Sequence, residues 1–148
     1  MIFFGLNSIG LVMFPLVSEK YENGSDYRPV FIKSILLVVF AAFCGVVLYA
    51  TVPQLLVNIL FGGQYAKAVP YLGSFALFMG IFAVVNLFMQ FFLSVRDFKF
   101  LPVLVLGALL QIGLIWQFHG TLLQVIHVNI GVAVLSLFAM IWFYSSGI

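Results

Sequence analysis

Long uncharged, strongly apolar stretches dominate this chain, and its polar residues are gathered into narrow breaks between them. Five hydrophobic runs stand out, at 1–17, about 32–61, 69–93, 101–117 and 121–144. Stretches such as Ile35-Leu36-Leu37-Val38-Val39-Phe40 do not alternate polar with apolar positions, as the strands of a membrane barrel do. A backbone in hydrocarbon must satisfy its own amides, which leaves helices once a barrel is excluded. The pattern predicts an all-α membrane protein, a bundle of about five transmembrane helices forming a single region over residues 1–148.

The second run is too long for a simple span. About thirty helical residues would extend roughly 45 Å, against a hydrocarbon core of about 30 Å. Pro53 falls where the excess begins, and a proline there removes a hydrogen bond and crowds the preceding turn. The expectation is a span over 32–51, a break, and a short interfacial stretch Gln54–Phe61 that ends at Gly62-Gly63. Pro102 suits the first turn of the fourth helix, where an amide hydrogen has no partner to lose. His119-Gly120 makes so tight a connection that the last two helices must lie antiparallel, side by side. Trp116, Phe118, Trp142 and Tyr144 stand near helix ends, the positions of an aromatic belt at the headgroups.

Composition sharpens this picture. Hydrophobic residues make up 65% of the 148 and charged residues 7%, where soluble domains carry about 25% charged. Mean hydropathy is +1.26. A net charge of +2 offers no basic stripe for phosphates, so nucleic acid is excluded as a partner. The charges form three patches: Glu19, Lys20, Glu22, Asp26, Arg28 and Lys33; Lys67 alone; and Arg96, Asp97 and Lys99. The loops after the first and third spans hold five of the six basic residues, which assigns those loops and the C-terminus to the cytoplasm. The residues before the first span then lie outside, with apolar residues following Met1 at once and no basic region of a signal peptide. That arrangement suggests a C-terminal fragment of a longer protein.

Apart from Lys33 at the edge of the second, no carboxylate, lysine or arginine falls within a predicted span, so no ion-coupling group of the usual kind is visible at membrane depth. Asn86 and Gln90 share a face of the third long helix at i, i+4. Gln111 lies midway along the fourth, Gln124 and His127 share a face of the fifth, and Asn129 sits on another. Such groups either bond to a neighbouring helix or line a wet cavity. Asn86 and Gln90 are the preferred substrate-cavity candidates, with Gln111 and His127 behind them. Small pairs at Ala41/Gly45 and Ala76/Gly80 allow close helix approach. The lone Cys44 has no disulfide or metal partner. Neither a nucleophile with its base, a metal cluster nor a phosphate loop can be picked out, so no enzyme activity, cofactor or metal is expected.

Two elements resemble those of a known family. Met13-Phe14-Pro15-Leu16-Val17-Ser18-Glu19 looks like the hydrophobic-Phe-Pro-x-x-Ser element of the polysaccharide biosynthesis flippases in the MOP superfamily. Pro53-Gln54-Leu55-Leu56-Val57-Asn58-Ile59-Leu60-Phe61-Gly62-Gly63-Gln64-Tyr65-Ala66-Lys67-Ala68 is similar to a second element, in which a proline leads through an apolar run to Phe-Gly-x-x-Tyr-x-x-Ala. The resemblance makes Pro15, Ser18, Pro53, Gly62 and Tyr65 structural motif positions. It implies part of the second lobe of a two-lobe transporter of about twelve to fourteen helices. That transporter would flip lipid-linked oligosaccharide precursors, such as O-antigen units on a polyprenyl phosphate, across the cytoplasmic membrane by alternating access. The missing N-terminal lobe would supply the basic residues that meet the pyrophosphate, unless Arg96 reaches in from its loop. The alternatives are another MOP-type exporter of drugs or lipid II, a membrane glycosyltransferase or polymerase, and a small structural or assembly membrane protein.

Overall fold

A computed structural model describes residues 2–61, 69–118 and 120–147. They form six helices: α1 (Ile2–Glu22), α2 (Arg28–Thr51), α3 (Pro53–Phe61), α4 (Val69–Ser94), α5 (Leu101–Gln117) and α6 (Leu122–Gly147). Three of them, α2, α4 and α6, are long and apolar enough to cross a bilayer, while α5 is a shorter apolar helix. The chain is an all-α, multi-pass membrane protein.

The expected break at Pro53 is present. Val52 leaves the helical region at φ −129° and ψ 48°, and α3 starts afresh on the proline. The first and second spans, by contrast, reach further than their apolar runs. Helix α1 carries through Pro15 to Glu22, and α2 begins at Arg28, so a long loop over 18–31 shrinks to 23–27. Charged side chains are no obstacle to helix; they mark only where it leaves the hydrocarbon for the headgroups. Gly62, Tyr65, Lys67 and His119, which the sequence reading used, lie outside the described residues.

The two charged loops are built with the same devices. After α1, Ser25 N–H donates to Lys20 O at 2.9 Å and Gly24 N–H to Tyr21 O at 3.2 Å, with Gly24 at φ +64°. After α4, Asp97 N–H donates to Phe92 O at 3.0 Å and Arg96 N–H to Leu93 O at 3.2 Å, with Arg96 at φ +56°. Both are Schellman stops, which satisfy the last carbonyls through one left-handed residue. Each is followed by an aspartate that accepts the amide two residues on, Arg28 N–H to Asp26 Oδ1 at 3.0 Å and Lys99 N–H to Asp97 Oδ1 at 3.1 Å. Prolines then open α2 and α5.

Helix α4 is the axis of the bundle, in contact with α1, α2, α3 and α6. Helix α5 lies along α6, as the tight connection required, and makes no backbone approach to α4. None of its residues is buried. Gly80 on α4 receives α2: a Cβ there would stand 3.4 Å from that of Ala42. Toward the charged end the packing is aromatic. Phe31 stacks on Phe91 with centroids 4.0 Å apart, and Phe88, Tyr27 and Tyr144 crowd around the pair. Phe92 stacks on Phe100 at 5.4 Å. Trp116 and Trp142 point outward at 83% and 72% exposure, as belt residues do. Tyr144 differs from the belt expectation, because its ring packs into this cluster against Phe31, Phe88 and Phe91.

Lipid tails are as apolar as these side chains, so packing contacts rather than expulsion of water hold the helices together. Phe91→Ala should therefore cost less than it would in a soluble core, about 2 kcal/mol, in a denaturant titration of the protein in mixed micelles. Trp142→Ala should stay within about 0.5 kcal/mol of the parent; equal losses for both would contradict the packing argument.

Candidate functional site

Amides meet at two levels of the bundle. The first group joins α1 to α4. Gln90 Nε2 donates to Asn86 Oδ1 at 2.8 Å and to Asn7 Oδ1 at 3.4 Å. All three side chains are half-buried. Space for Gln90 comes from Gly10, where a Cβ would stand only 2.5 Å from Gln90 Nε2. The Asn86/Gln90 pair is thus bonded within its helix and across to α1. Asn7 was not singled out by sequence reasoning. Its signal was an amide inside a run otherwise free of one, three residues before a glycine.

The second group joins α5 to α6. Gln111 Nε2 donates to Asn129 Oδ1, and Asn129 Nδ2 donates to Val125 O at 2.8 Å. Ser136 lies two turns further along the same face of α6, where a Cβ on Gly107 would stand 3.0 Å from its hydroxyl. Because α5 leans on α6 and leaves α4 uncovered, a cleft opens between α4 and α5. It holds a cavity of about 190 Å³ with Phe78, Phe82, Gln111, Asn129 and Ser136 among its walls. A second cavity of about 370 Å³, against Tyr71, Leu72, Phe75 and Leu122, shares Phe78 and Asn129 with it.

His127 belongs to neither group. It is exposed, its Nδ1 lies 2.7 Å from Leu123 O one turn back, and Gln124 is exposed on the same side. Arg96, in the loop after α4, pairs with Glu22 at 2.6 Å, and both side chains are more than half exposed. The pair ties the end of α4 to the end of α1 at the surface, where it is worth at most about 1 kcal/mol. Among the motif positions, Pro15 is exposed on α1, Ser18 is half-buried one turn on, and Pro53 begins α3. Among the described residues no three His, Cys, Asp or Glu side chains gather as a metal site would require.

Among the described residues the two cavities are lined by aliphatic and aromatic side chains with uncharged amides and hydroxyls, which can exchange hydrogen bonds with a neutral ligand and offer no counter-charge to an ionic one. No family model, curated protein or solved structure matches this chain.

Gly10→Ala should push the Gln90 amide off Asn7. Gly5 has nothing within 4 Å of an added Cβ, so Gly5→Ala serves as the control and gains helix propensity freely. Gly10→Ala should come out less stable than Gly5→Ala by about 1–2 kcal/mol, and equal values would show that the amide bridge is not held by the glycine.

Proposed function

We propose that the chain is part of the second lobe of a MOP-type flippase that moves lipid-linked oligosaccharide precursors across the cytoplasmic membrane. The observation that carries the reading is the order of its two motif elements, Pro15 to Ser18 and Pro53 to Ala68. Its support in three dimensions is their placement. Pro15 and Ser18 lie near the end of α1 that enters the charged loop, and Pro53 opens α3 at the far end of α2. Lying one span apart, Pro15–Ser18 and the described start of the second element, Pro53–Phe61, support a reading in which the two elements face opposite sides of the membrane.

On this reading the charged loops and the end of α6 face the cytoplasm, by the excess of lysine and arginine at that end. The lobe contributes neutral amides to a path for a sugar head, while the hydrocarbon carrier stays in the bilayer. The other lobe must supply the groups that meet the pyrophosphate, since Arg96 is engaged with Glu22 at the surface. Alternating access then needs the two lobes to rock about that path.

Two measurements test the proposal. In cells whose surface polysaccharide depends on this gene, Asn86→Leu and Gln90→Leu should lower export severalfold while the protein level holds. Unchanged export would leave the pair as a bond between α1 and α4 and nothing more. A reporter that fluoresces only in the cytoplasm, fused after Ile148, should light up; a dark fusion with an active periplasmic counterpart would reverse the assigned orientation.

A further inference from the structure

The α4–α5 cleft holds polar atoms that the protein leaves unmatched. Gln111 spends one N–H on Asn129, and Asn129 spends one on Val125 O. Among the described residues, Gln111 Oε1 accepts nothing and each amide keeps a second N–H. Among the described residues no fully buried side-chain polar atom lacks a partner, so these free atoms are accessible, and both amides line the cleft. Their depth makes this costly. Gln111 is ten residues into α5, roughly 15 Å from its start, which is about the middle of the hydrocarbon core. Unmatched amide groups at that depth need a partner.

The surroundings narrow what that partner can be. Beside the amides, Phe78 and Asn129 also form walls of a second, apolar cavity against Phe75, Leu122 and Ile126. Water alone would satisfy the amides and leave that apolar part dry. Among the described residues no carboxylate, lysine, arginine or histidine lines either cavity, so a charged head would lose its hydration without compensation. A carbonyl could accept from the amide N–H groups yet could give nothing to Gln111 Oε1. A hydroxyl does both. The cleft is also open to the side, because α5 stays away from α4, so an occupant can come in from the bilayer.

We infer that this cleft is a binding site for an uncharged lipid alcohol. The hydroxyl donates to Gln111 Oε1 and accepts from a free amide N–H of Gln111 or Asn129, and the hydrocarbon lies against Phe75, Phe78 and Leu122. The inference concerns binding alone and stands apart from the transport reading. It can fail while export persists, and export can fail while it holds.

The test uses the chain in lipid nanodiscs and three photoactivatable probes of equal length: a long-chain primary alcohol, the matching alkane and the matching carboxylic acid. Labelled peptides are mapped by mass spectrometry. The alcohol should label α4, α5 and α6 saturably around Phe78 and Asn129, and unlabelled alcohol should compete while alkane does not. Gln111→Leu and Asn129→Leu should each weaken the alcohol's apparent affinity about tenfold, the effect of one lost hydrogen bond, and leave alkane labelling unchanged. Competition in the unaltered chain needs no variant, so misfolding of either substitution does not blunt the test. Equal labelling by alcohol and alkane, preferential labelling by the acid, or no saturable labelling would each overturn the proposal, the last meaning that the amides are met by water.

Discussion

Phe31 and Phe91 stack where α1, α2, α4 and α6 converge, and the arrangement of the other helices follows from that contact. In lipid the helices gain nothing from hiding apolar surface, so close shape matching must decide which faces meet. Rings offer the largest contact area of any side chain, and offset or edge-on geometries make that contact directional. With Tyr144 and Phe88 packed onto the same pair, α6 is joined to the bundle at the charged end. The α4–α5 cleft opens because α5 is held by α6 alone.

Much of the layout was legible along the chain. Charge exclusion marked the spans, Pro53 marked the break between α2 and α3, and the short connection made α5 and α6 neighbours. Neighbour choice was not legible, for a physical reason. Helices apolar on every side present no stripe whose direction says what they touch. Nothing in the run 69–93 distinguishes α4 as the axis, and Tyr144 reads as a belt residue until its ring is seen against Phe31. The stop after α1 could have been found from Gly24 followed by Asp26. The matching stop after α4 could not, because arginine seldom takes the left-handed conformation that Arg96 adopts.

The amides divide in the same way. The Asn86/Gln90 spacing was visible, but its tie to α1 depends on Asn7 and on the missing side chain of Gly10, two residues that look unremarkable in a hydrophobic run. Gln111 and Asn129 come from different helices, and only the lean of α5 on α6 brings them together. Gln124 and His127 stay apart from both groups, since their face of α6 turns outward. Polar residues in a membrane segment thus identify themselves by type, while their roles depend on helix rotation that sequence does not record.

The brevity of α5 has a mechanical outcome. Its 17 residues amount to roughly 25 Å of helix, some 5 Å less than an average hydrocarbon thickness. Hydrophobic mismatch of that size is relieved by local thinning of the bilayer. The membrane is then pinched beside α5, and lipid headgroups on that flank ride nearer the midplane than elsewhere around the protein.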